Sequence, residues 1–136
     1  MAATNFIVRT HEGSYDLEAA VRVIGQDVLL AIWGGEKPHI GAVSVAQPRP
    51  SLRKPDTTSA TASVICLPGH KEDELAKMAS ERLAAALNTS VVVTAGMHWD
   101  NIGEEGIRQV VENSHRLISL ILDEMQKIPG VFAARV

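Results

Sequence analysis

A single cysteine, Cys66, excludes an intramolecular disulfide and fits a reducing compartment. Aromatic residues are scarce at 4%, so the core has to come from Val, Ile, Leu and Ala, within a hydrophobic share of 46%. Positive charge is not in excess. A formal net charge of -3 leaves no electrostatic footprint for nucleic acid. No apolar run approaches the roughly 18 residues of a membrane span, and no secretory apolar segment opens the chain. A cytoplasmic protein with neither a membrane nor a nucleic-acid partner is expected. The nucleotide fingerprints are missing too: "GGEKPHIG" lacks the GxGxxG spacing and "GEEG" is too short for a phosphate loop. No serine sits in a nucleophile elbow, and Cys66 has no evident base beside it.

What is present reads as one domain, residues 1–136, large enough to bury a core without a metal or disulfide staple. "NFIVRT", "SYDLEAAVRVIG" and "QDVLLAIWGG" open it as an antiparallel meander, and "HIGAVSVAQP" reads as a further strand. Between Gln47 and Ser59, prolines at 48, 50 and 55 cannot donate to a ladder, which predicts a long loop before the strand "ATASVICLP". From Lys71 to Asn88, apolar residues at helical spacing follow acidic residues that suit a helix N-terminus, and Asn88 closes the helix. "SVVVTAGM" is continuously apolar and β-branched, the signature of a central strand. A second helix starts between Gly103 and Gly106, carries a broad apolar stripe from Ile107 to Met125 and stops at Pro129-Gly130. The order is β-β-β-β-β-α-β-α. It predicts an α+β fold with a largely antiparallel sheet of about six strands and both late helices on one face. The width of the last stripe, or an open sheet face, predicts a homodimer.

Three histidines sit at element boundaries among glycine or proline: His39 in "GGEKPHIGAV", His70 in "LPGHKEDE" and His98 in "VVVTAGMHWDN". Ligands collect at strand ends and helix starts, where backbone N–H groups lack partners. A shared rim would give imidazoles for a divalent metal, with Asp100 or Glu36 completing or orienting it. Turn capping or surface exposure is the plainer explanation for each histidine alone. Gly34-Gly35, Gly41, Gly69 and Gly96 would admit close approach of a ligand, or simply a bulge or tight turn. The segment from Gln47 to Thr58 carries Arg49, Arg53 and Lys54 among hydroxyl residues, a set suited to a phosphate monoester or to a solvated connector.

Together, "GGEKPHIGAVSVAQPRPSL", "SATASVICLPGHKEDELAK" and "VVVTAGMHWDNI" resemble the prenylated-flavin chaperone family, related to the D subunit of gallate decarboxylase. The resemblance implies a fold like that of small, dimeric proteasome-assembly chaperones. It also implies a non-catalytic protein that binds prenylated FMN, or FMN, and assists maturation of UbiD-type decarboxylases, with a flavin prenyltransferase as a further partner. On that footing Gly35, Lys37, His39, His70, His98 and Trp99 become cofactor contacts, with Trp99 or Trp33 stacking on the ring. Arg49, Arg53 and Lys54 become phosphate contacts, and His39, His70 and His98 the ligands of a divalent metal. Two other classes stay open on the residues alone: a small metal-dependent enzyme using the histidines, and a dimeric interaction scaffold that leaves them idle.

Overall fold

The computed structural model describes residues 5–67 and 72–128. Three strands, β1 (Asn5–Arg9), β2 (Leu17–Ile24) and β3 (Asp27–Gly35), form the opening meander. β4 (Ala42–Pro50) and β5 (Thr58–Cys66) make a hairpin, followed by α1 (Asp73–Leu87), β6 (Val91–His98) and α2 (Glu104–Gln126). The sheet order is β1-β2-β3-β6-β4-β5, and every neighbouring pair is antiparallel except β3 and β6. This is the α+β arrangement expected from the patterning.

The last strand to form in chain order occupies the middle of the sheet. β6 pairs with β3 on one side and β4 on the other, which accounts for the continuous apolarity of "VVVTAG". Alternation decides the two faces. Leu17, Ala19, Val21, Val28, Leu30, Ile32, Val91, Val93 and Ala95 point to one face and are buried. α1 covers that face over β4, β5 and β6, and α2 covers it over β1 and β2. Leu83 and Ala84 of α1, with Leu117, Ile118, Ile121 and Met125 of α2, complete the core. A buried hydrogen bond of 2.6 Å between the Ser44 and Ser80 hydroxyls pins β4 to α1. Asn88 ends α1 at φ 53°, a left-handed conformation that asparagine tolerates better than most residues.

Two expectations need correction. Pro48, Arg49 and Pro50 are strand rather than loop, and the connection between β4 and β5 shrinks to residues 51–57. The two prolines stand two residues apart, so both turn the same edge of β4 to the same side. β4 keeps its ladder with β5 as far as Pro50↔Thr58 but pairs with β6 only as far as Ala46↔Val91, so the missing N–H groups face the side that β6 has left. The apolar stripe of α2 is also not a surplus surface: its C-terminal half is core, and only Ile107 and Val111 near its start are half-exposed. The broader uncovered apolar surface lies on the other sheet face. One row of partners across that face runs Ile7, Ala20, Ala31, Thr94, Val43, Ile65, with Leu29 and Val45 in the next row. The stop at Pro129-Gly130 lies outside the described residues.

Candidate functional site

Because β6 separates β3 from β4, the chain leaving β3 has to pass over the C-terminal end of β6 before it can start β4. Residues 36–41 make that crossing, and they are the glycine- and proline-bounded stretch that holds His39. Two glycines permit it. Gly35 adopts φ +81°, and a Cβ there would fall 2.0 Å from the His98 carbonyl oxygen, which accepts the Glu36 N–H at 2.7 Å. At Gly96 a Cβ would fall 1.7 Å from the His39 carbonyl oxygen, so only a bare backbone lets the crossing lie against the strand.

The same strand end gathers both helix starts. α1 runs antiparallel to β6, so its N-terminal residue Glu72 reaches the end of β6 and accepts the Met97 N–H at 3.3 Å. α2 begins a short turn after His98. Between them lies a cleft of about 720 Å³, within the usual size range of small-molecule sites. Lys37, His39, Glu72 and His98 form its polar end, and Glu74 of α1 and Ser114 of α2 add polar groups farther along it. The walls are Leu75 of α1, Met97 of β6, and Ile102, Ile107, Val110 and Val111 on the α2 side.

His39 is held from two sides. Its Nδ1 lies 2.7 Å from the Lys37 carbonyl oxygen, and its Nε2 lies 2.9 Å from Glu72 Oε1, with only 11% of the Glu72 side chain exposed. A doubly protonated ring donates to both oxygens and a neutral one to either. His98 is paired elsewhere, its Nε2 2.9 Å from Asp100 Oδ1. The His98 ring, and then the Lys37 ammonium, hold the Asp100 carboxyl below the usual carboxylate range. Glu36 also accepts the Asp100 N–H at 3.0 Å, which ties the crossing to the turn after β6.

His39, His98, Lys37 and Trp99 therefore meet at one cleft, while His70 lies outside the described residues. The ring of Trp99 is fixed from behind: its Nε1 donates to the Ser14 carbonyl at 3.1 Å, and Tyr15 meets it edge-on with centroids 5.5 Å apart. The Ser14–Tyr15 loop is itself anchored by Asp16. Burial pushes the Asp16 carboxyl up, but the Glu12 amide, the Thr10 hydroxyl and the Gly13 amide that donate to it hold it below its ordinary range.

The remaining expected site residues fall elsewhere. Trp33 and Gly35 line a separate, smaller pocket with Arg9 and Asp16. Arg49, Arg53 and Lys54 stand at the far end of β4 and in the following turn, roughly 20 Å along the strand from the cleft. There Arg49 Nε donates to Thr61 at 2.6 Å, and the Ser51 hydroxyl accepts the Arg53 and Lys54 amides. The expected metal centre is not found: among the described residues no three His, Cys, Asp or Glu side chains could share an ion. The physical reason is local pairing, since His39 and His98 each face a different carboxylate. Glu72 is the site residue the sequence reading missed. Its only signal was its place in "GHKEDE", directly before the helix.

Comparison with known proteins places these features in a family. The sequence model described as "Prenylated flavin chaperone LpdD-like domain" matches residues 11–126. Protein LpdD of Lactiplantibacillus plantarum is 26% identical over 125 residues, covering 88% of this chain and 85% of the relative. In fold, the chain is similar to a protein in the crystal structure of a novel chaperone complex for yeast 20S proteasome assembly. The TM-score is 0.54 at 14% identity, with 91% of this chain and 97% of the other covered. Among the described residues no helix is long and apolar enough to cross a membrane.

Proposed function

The chain belongs to the prenylated flavin chaperone LpdD-like domain family, and from that premise we propose that it binds prenylated FMN in the cleft at the end of β6 and delivers it to a UbiD-type decarboxylase. The observation that carries this reading is the cleft itself, polar at one end and mostly apolar along its walls. A flavin has a comparable division, with a hydrogen-bonding pyrimidine edge at one end of its ring system, an apolar dimethylbenzene edge at the other, and a phosphate at the end of a flexible ribityl chain. Lys37 is the one Lys or Arg among the described residues that line the cleft, so it is assigned to the phosphate. Its ammonium is exposed, lying 3.8 Å from Asp100 Oδ1, and can exchange that carboxylate for a ligand oxyanion. His39 and Glu72 present hydrogen-bonding groups to the ring edge, and Trp99 offers a surface backed by Tyr15.

The protein performs no chemistry on its cargo in this reading; it receives the product of a flavin prenyltransferase and releases it to the decarboxylase. Half-exposed Ile107 and Val111 put one wall in contact with solvent, which suits release better than a sealed pocket does. Titration of prenylated FMN and of FMN into the purified protein, followed by flavin absorbance or fluorescence, tests the reading. Saturable binding of the prenylated cofactor without turnover is expected. No saturable binding of either flavin would overturn it.

We also propose a homodimer, closed through the uncovered sheet face. Ile7 and Ile65 are 63% and 67% exposed there, with Leu29 and Val45 between them, a distribution that suits burial against a second copy. Light scattering at micromolar concentration is expected to give twice the chain mass, and Ile65→Glu to give the monomer. A monomeric wild type would reject the proposal.

A further inference from the structure

We infer that Ile107 and Val111 form a shelf that receives the isoprenoid-derived part of the cofactor and so makes the cleft select prenylated over ordinary flavin; the inference rests on the flavin-binding reading above. Both side chains are half-exposed, at 52% and 51%, whereas Leu117, Ile118 and Ile121 of the same stripe are completely buried. They stand one helical turn apart, so they are neighbours on one face of α2, and that face lines the cleft. The packing of α2 on β1, β2 and α1 leaves them without a full apolar cover from this chain. Core formation therefore does not account for two branched apolar side chains at these positions.

Leu75 and Met97 line the same cleft from α1 and β6, so a branched apolar group entering it meets hydrocarbon from three elements. Most of the polar groups of the site, Lys37, His39, Glu72 and His98, are gathered at one end. Prenylation changes a flavin by adding a branched apolar unit and leaves its phosphate as it was. A ligand held at the polar end alone would be bound equally well with or without that unit. A ligand that also covers the shelf gains affinity from the unit, and even a single methylene in a fitted apolar pocket discriminates by about tenfold or more.

The test compares Ile107→Thr, Val111→Thr and the double variant with wild type, using prenylated FMN and FMN as separate probes. Threonine keeps the β-branching at both sites and nearly the volume of Val111, while it is one heavy atom smaller than Ile107; both sites are half-exposed, so thermal melts should stay close to wild type, and if the double variant fails to fold, Val111→Thr alone serves. The wild type is expected to prefer the prenylated cofactor by about tenfold or more, and the double variant to lose most of that preference while its affinity for FMN changes less than twofold. An unchanged preference, or an equal loss for both flavins, overturns the shelf while leaving flavin binding in place. A wild type that binds neither flavin overturns the flavin reading and the shelf with it.

Discussion

Gly96→Ala is expected to lower stability by about 3 kcal/mol, a large effect for one added methyl group. The new Cβ would sit 1.7 Å from the His39 carbonyl oxygen and 3.1 Å from the Gly41 nitrogen, and both are backbone atoms that no rotamer change can move aside. Residues 36–41 cannot relax outward freely. Gly41 donates to the Ala95 carbonyl at 2.9 Å and Glu36 donates to the His98 carbonyl at 2.7 Å, so the crossing is tied to β6 at both ends. Thermal unfolding should show the midpoint falling by roughly 10 °C. A melt unchanged within a degree or two would mean that the crossing does not lie against Gly96. Because the displaced segment carries Lys37 and His39, the same variant should also lose flavin binding at temperatures where it remains folded.

His39→Ala is expected to weaken prenylated FMN by roughly tenfold, the upper end of what losing one hydrogen bond of about 0.5–1.5 kcal/mol gives. Its consequence reaches beyond the ring: the variant leaves the Glu72 carboxylate, only 11% exposed, facing the cleft without the imidazole beside it. A carboxylate in that state disfavours an anionic ligand. Arg53→Ala supplies the contrast, because Arg53 lies in the turn at the far end of β4 and its loss should change affinity less than twofold. Isothermal titration of both variants separates the two locations. Weakening by Arg53→Ala with His39→Ala unaffected would move the phosphate site to the β4–β5 turn.

The order of elements was legible because each carries a local signal. Alternation marked the meander, acidic residues and Asn88 bounded α1, and continuous β-branched apolarity marked β6 as a central strand. The extent of β4 was not legible, since whether Pro48 and Pro50 break a ladder depends on which edge has a partner, and that edge is left bare by a strand formed more than forty residues later. The site was legible in part for the same reason. His39 and His98 come together because β6 inserts between β3 and β4, and the glycines that suggested a ligand instead make room for that crossing. Basic residues in the following turn looked adjacent to His39 in sequence, yet an extended strand carries them away from it. Glu72 had the opposite difficulty. Acidic residues at a helix start are ordinary on dipole grounds, and only the antiparallel packing of α1 on β6 turns this one toward His39.

The cofactor is expected to occupy the cleft where both helices begin at the end of β6. Amide hydrogen exchange of the full chain, with and without saturating prenylated FMN, tests it most directly. Added protection is expected at Met97–Trp99, around Leu75 and across Ile107–Val111, with little change at residues 51–57. Protection concentrated at residues 51–57, with the end of β6 and the start of α2 unaffected, would contradict it.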